Sequence, residues 1–414
     1  MTQILNSRRY DIDWLRTLAF GLLILYHLGM YYVADWGWHI KSDHHADFVW
    51  LQDLMILTNP WRMSLLFFIS GIALALVANK YPGSKLVILR TSRLFVPLLF
   101  GMFVIVSPQP YYEALDQGLI QPGFWSFWLQ YINPWTALLP EHHTVIGLLT
   151  WNHLWFLPYL WCYSMLVIGL KPILNRLAAS TWLTKLNGRW AVLVVICILV
   201  LAWYLLKSRF PSSHDLVNDW YNHAKYLPVF VGGYVFARQG QWWQQVIIWR
   251  YPLLLLAFAG YLFLVLDRHN AFPLLEAQFE QIIAVKLLYG FIGALNHWAW
   301  ILAVVGLAGH FLNRPSRILR YTDKAILPWY MLHQTLIIVA AANLEAFKLS
   351  SGVEALLILM LTCCGCYLGY QIIRRIALLR WLCGLRKTDP TDIRRSGPPR
   401  NNDEVLSTAD PATR

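Results

Sequence analysis

Ten apolar stretches dominate this chain, near residues 13–33, 60–79, 86–107, 154–174, 190–206, 225–238, 251–267, 284–312, 325–345 and 353–380. A helix needs about 20 apolar residues to cross the ~30 Å hydrocarbon core of a bilayer, and barrel strands are far shorter than these runs. Backbone inside hydrocarbon must satisfy its own polar groups, so helices are the architecture such runs permit. The predicted fold is an all-α integral membrane protein, with about ten transmembrane helices in one bundle. Composition agrees: of 414 residues, 57% are hydrophobic and 14% charged, against about 25% charged in soluble domains.

The first run is too long for a signal-peptide core and has no small-residue cleavage site after it, so it is expected to stay as a helix. The sixth, KYLPVFVGGYVFAR, is short and carries Pro228, Gly232 and Gly233; it is expected to be a broken helix packed against protein. The eighth is long enough to tilt. No internal repeat is evident. Residues 1–385 form the transmembrane domain on this reading. The Pro-rich polar tail, 386–414, is expected to be disordered.

Charge sets the orientation. With ten spans, 26 of the 34 Lys and Arg residues fall on one set of helix ends or in the tail. The positive-inside rule then puts both termini in the cytoplasm. The net charge of +12 does not imply nucleic acid, because the basic residues sit at segment ends and not in one patch. Cys363, Cys364 and Cys366 crowd together in sequence, but neighbours one and two apart on a helix point in different directions. Packing is the expected role; neither a metal nor a disulfide is expected.

Two residues interrupt the first run, DWLRTLAFGLLILYHLGMYYV: Arg16 and His27. Eleven residues is just over three helical turns, so the two share nearly one face, roughly 16 Å apart along the axis. Ionisable groups at such depth are costly and usually functional. Arg16 reads either as a snorkelling anchor, with Asp13 as a same-face partner, or as part of a site. His27 reads either as a buried neutral imidazole bonded to another helix, or as a proton carrier. Arg90 and Arg93 open the third run at i, i+3. They are positive-inside anchors or, with Arg16, a cationic mouth for phosphate oxygens.

Arg62 near the outer end of the second run is an interfacial anchor or a cavity cation. His153 and Trp155 in HLWFL, and His333 in YMLHQ, are candidates for an acceptor site or cavity. Satisfied packing histidines are the competing reading for His153, His333, His297 and His310. Loop 108–153 has no Lys or Arg but holds Glu113, Asp116, Glu141, His142 and His143, with Trp125, Trp128, Trp135 and Trp151. It reads as an interfacial aromatic belt or as a platform for sugar rings. There is no Walker loop, GxSxG or HExxH. Three classes remain open from these residues: an enzyme working across the membrane, a proton-coupled transporter or exporter of a sugar or acylated glycan, and a non-catalytic partner of a polysaccharide synthase.

Taken together these segments resemble the membrane acyltransferase-3 family. Arg16 and His27 match its Arg and His separated by ten intervening residues in the first helix. Arg90 and Arg93 match its Arg-x-x-Arg at the third. FFISG, HLWFL, YLPVFVGGYVF and YMLHQ resemble further family segments, over about residues 8–385. The wording of WRMSLLFFISG and HLWFL is nearest the branch that succinylates periplasmic glucans. The resemblance implies an O-acyltransferase of a bacterial inner membrane, with cytoplasmic acyl-CoA as donor substrate and a carbohydrate outside as acceptor. It implies a catalytic role for His27 with Arg16, and donor binding by Arg90 and Arg93. It implies no permanently bound cofactor. A dicarboxylic acyl group would want a further cation, for which Arg62 and Lys286 are candidates.

Overall fold

The computed structural model describes residues 8–43, 48–144, 146–186 and 188–385. The expected disordered tail lies outside the described residues. Among these the secondary structure is helical, apart from one isolated bridge between Thr144 and Gly147. Each of the ten apolar stretches contains a helix: α1 (Tyr10–Tyr32), α2 (Arg62–Ala78), α3 (Gly83–Asp116), α4 (Phe156–Gly169), α5 (Gly188–Leu206), α6 (Trp220–Phe236), α7 (Arg250–Arg268), α8 (Ile283–Phe311), α9 (Arg317–Leu344) and α10 (Ser351–Ile373).

Six of these, α3, α5, α7, α8, α9 and α10, are long and apolar enough to cross a membrane. A seventh counts if α4 and the helix 171–179 form one bent span. α2 is apolar but only 17 residues long. Length and composition therefore support six or seven spans, fewer than the ten expected. Arg16, His27 and several tyrosines dilute α1, and α6 is short.

Prolines explain where expectation and structure part. α3 does not stop near 107 but runs on to Asp116 through Pro97, Pro108 and Pro110. Two wide π turns, Thr91–Phe95 and Gly101–Ile105, flank Pro97, and such turns absorb the register change where a ring cannot donate. α6 is continuous rather than broken, although Pro228 lies inside it; the loss is one backbone hydrogen bond, offset by packing. α4 instead bends by 71° into 171–179, just ahead of Pro172, where the preceding residue disfavours helix. The tenth run ends at Ile373, and a separate short helix follows at Ala377–Leu382.

The tightest crossing joins α2 and α6. A Cβ on Gly71 would lie 2.0 Å from the Phe230 carbonyl oxygen, and one on Gly233 would lie 2.1 Å from that of Phe68. Only glycines let two backbones meet so closely, the small-residue device of membrane helix pairs. α1 packs between α9, α8 and α2. α8 and α9 are mostly buried, whereas α7 presents Leu255, Phe258 and Leu262 outward. The centre of the bundle is thus the face of α1 that meets α9.

Candidate active site

His27 lies on that face. Its Nδ1 is 2.8 Å from Nε2 of His333 on α9, with the two rings nearly parallel at 5.0 Å. The Nδ1 of His333 faces two backbone carbonyls, Tyr330 at 2.7 Å and Trp329 at 3.2 Å. Carbonyls only accept, so His333 carries its proton on Nδ1 and offers a lone pair at Nε2. His27 must then donate from Nδ1, which leaves the lone pair on its own Nε2. Among the described residues none hydrogen-bonds to that Nε2.

A chain of polar groups continues from this pair. The His153 ring stands edge-on to His333, centroids 5.4 Å apart. His153 donates from Nε2 to the Met331 carbonyl at 3.0 Å and accepts at Nδ1 from the Gln109 amide at 3.1 Å. Gln109 accepts from Gln334 at 3.1 Å, and Gln334 donates to Asn152 at 3.2 Å. Asn152 donates to Nε2 of His39 at 2.5 Å, and His39 donates from Nδ1 to Glu113 at 2.5 Å. His142 bonds the other Glu113 oxygen at 2.6 Å. That bond to a carboxylate holds the His142 imidazole above its ordinary range. Each buried amide and imidazole along this path has one orientation that satisfies its neighbours. Glu113, Glu141 and His142 place one ligand atom each within 4.8 Å of one another, but both Glu113 oxygens are already engaged.

The loop after α1 folds over the site. Lys41 Nζ donates to the carbonyls of Met30 at 2.8 Å and Val33 at 2.5 Å, and to that of Trp36. This caps the last turn of α1 and sets Trp38, whose ring is 5.4 Å from the His27 ring. Sequence reasoning missed Trp38, His39, Gln109, Asn152 and Gln334. The signal available was polar residues next to histidines, in WH at 38–39, NH at 152–153 and HQ at 333–334.

The other expected site residues divide. Arg62 is buried, with its guanidinium 3.6 Å over the ring of Tyr26, the residue before His27. Trp155 turns away and stacks on His214 at 4.1 Å. Arg16 pairs with Asp323 of α9 at 2.7 Å and with Asp13 at 3.5 Å. Arg90 and Arg93 are half-buried at the first π turn of α3 and feel each other's charge. A shared junction brings that turn to α9: at Gly384, with φ +67°, a Cβ would lie 3.1 Å from the Arg93 carbonyl and 2.9 Å from the Leu327 side chain. Of the outer aromatics, Trp125 and Trp135 are exposed, while Trp128 and Trp151 bond the backbone of other segments.

A cavity of about 180 Å³ lies between α1 and α9. Thr17, Phe20, Gly21 and Ile24 form one wall; Thr322, Trp329, Tyr330 and His333 form the other. At one end its lining residues Thr17 and Thr322 share a 2.9 Å hydrogen bond, and the Arg16–Asp323 pair lies one residue along each helix. Its other end reaches the His333 ring. Its α1 wall runs from Thr17 to Ile24, about 10 Å of helix.

Residues 9–371 match the family model of the acyltransferase-3 domain, described as an acyltransferase domain. This chain belongs to the acyltransferase-3 family. Its curated relatives include proteins named glucans biosynthesis protein C from Escherichia coli and from Shigella dysenteriae serotype 1. Each is 24% identical over 394 residues, covering 92% of this chain and 96% of the relative. No solved structure matches it. As an acyltransferase-3 protein with several helices able to span a bilayer, it is a membrane acyltransferase, whose family generally acylates carbohydrate hydroxyls.

Proposed function

We propose that this chain moves an acetyl or succinyl group from cytoplasmic acyl-CoA to a hydroxyl of a glucan or polysaccharide on the outer side of a bacterial inner membrane. In this reading all ten helices span, α1, α2 and α6 included, and both termini are cytoplasmic. The observation that carries it is the cavity between α1 and α9, whose lining begins at Thr17 and Thr322, one residue from the Arg16–Asp323 pair, and ends at His333, which bonds His27.

The donor's phosphates dock on Arg90 and Arg93, each able to present a planar fork of donors to oxygen. Arg16, at the mouth, exchanges Asp323 for the donor's negative charge. The pantetheine arm occupies the cavity and brings the thioester to His27. His27 Nε2 takes the acceptor hydroxyl proton as the oxygen attacks the thioester carbonyl. The new C–O bond forms, the C–S bond breaks, and the proton passes to the CoA sulfur. His333 keeps His27 in the tautomer this step needs. The chain Gln109–Gln334–Asn152–His39 locks the outer wall against which the acceptor sits.

The test is chemical. Mass spectrometry of surface and periplasmic glycans from cells with and without the gene should show an acyl ester that depends on it. Purified protein with radiolabelled acyl-CoA should transfer label to glycan. Uptake of a sugar into vesicles without any acylated product would replace this reading with a transporter.

A further inference from the structure

Arg62 is a cation without a counter-charge. It opens α2, is 3% exposed, and no carboxylate pairs with it among the described residues. The buried acids are committed elsewhere. Asp11 pairs with Arg9, Glu113 with His39 and His142, Asp219 with Tyr159 and Asn222, and Glu354 with Tyr32. Its stack on Tyr26 and a 3.4 Å hydrogen bond to Thr58 hold the guanidinium in place, and its Nε has no partner. The other candidate cation, Lys286, already has a counter-charge, Glu280, near the start of α8.

A guanidinium taken out of water without an opposing charge is costly, and such a site is completed by an anion. Place decides which anion. The Tyr26 and His27 rings are 6.0 Å apart, and His27 lies within the field of Arg62. An anion on Arg62 lies beside the Tyr26–His27 turn of α1. A flat fork of N–H donors matches a carboxylate.

We propose that Arg62 is a carboxylate subsite of the active site, and that one of the two substrates carries a carboxylate close to the bond being made. This rests on the acyl-transfer reading above. Two sources supply that chemistry: an acyl group with a distal carboxylate, or an acceptor with a carboxylate near its hydroxyl. In either case the thioester C–S bond breaks, the ester C–O bond forms, and the hydroxyl proton ends on the CoA sulfur. The carboxylate is held and does not react.

The experiment uses the full chain in nanodiscs with two donors, acetyl-CoA and succinyl-CoA, and two acceptors, a neutral glucan and a glucuronate-bearing glucan. kcat/KM is measured for each pair in the wild type, Arg62→Gln and Arg62→Lys. The wild type should prefer a pair that contains a carboxylate. Arg62→Gln should lower kcat/KM for that pair roughly 10–100-fold more than for the neutral pair, the loss of one charged hydrogen-bonding partner. Arg62→Lys should restore part of the preference. The arm that carries the loss names the source. Equal loss for all four pairs, or a wild type indifferent to carboxylates, overturns the subsite and leaves acyl transfer standing. No transfer from any pair overturns the acyl-transfer reading itself, and the subsite with it.

Discussion

The two ends of α1 solve one problem in opposite ways. At one end Arg16, about 30% exposed, is held by charge, with Asp323 at 2.7 Å and Asp13 at 3.5 Å. Eleven residues on, His27 is held without charge, through a neutral imidazole–imidazole bond that ends on backbone carbonyls. Where water reaches, an ion pair can exchange partners at little cost. At the half-buried His27, whose partner His333 is buried, fixed neutral donors and acceptors are cheaper than ions, and they also determine which nitrogen carries the proton. The charged end is therefore built to trade its partner, and the neutral end to keep one.

That contrast can be broken at several points. The largest effect is expected at the neutral end. His333→Leu removes the acceptor for His27 Nδ1–H and frees the ring to adopt the tautomer without a lone pair at Nε2. kcat should fall roughly 10²–10³-fold with KM for the donor little changed. His333→Gln offers an amide oxygen and should recover part of the rate. Equal losses in both variants would reduce His333 to packing.

Gly21→Trp comes next. A Cβ there meets nothing within 4 Å, and Gly21 lines the cavity between α1 and α9, so the indole should fill the space. The donor KM should rise at least ~10-fold, with thermal unfolding of the purified protein unchanged. An unchanged donor KM would take the donor out of this cavity. At the charged end Asp323→Asn weakens the competitor for Arg16. The donor KM should shift a few-fold, since exposed pairs contribute about 0–1 kcal/mol, and the shift should shrink in high salt.

The smallest effect is at the clasp formed by the His142–Glu113 bond. Bonding to Glu113 raises the His142 pKa in the folded protein, so the clasp contributes most below the ordinary imidazole value, about 6.5. That contribution fades as pH rises through the raised value. Hydrogen exchange in the segment around residues 138–144 should therefore accelerate with pH beyond its intrinsic increase. His142→Gln should abolish the excess. An identical pH dependence in both proteins would make the clasp incidental.

Much of this was legible in the sequence, and the rest was not for physical reasons. Helical periodicity placed Arg16 and His27 on one face because that relation is local. The partner of His27 was not local: His333 is 306 residues away, and its histidine looked like three others. α3 and α6 both run on through proline, because its cost depends on whether π turns or a packed neighbour compensate. Pro172 behaved as a lone breaker does. The amide chain through Gln109, Gln334 and Asn152 joins three segments, and its only local mark is the histidine beside Asn152 and beside Gln334. Trp155, two residues after His153 in sequence, faces a different cluster because the turn at 152–155 points their side chains apart.

The central claim is that His27 Nε2 performs the transfer. Purified wild type and His27→Ala should be compared for label moved from acyl-CoA to a glucan, alongside donor binding by each protein. The account predicts ester formation by the wild type, and donor binding without detectable transfer by His27→Ala. Transfer by His27→Ala at the wild-type rate would contradict it.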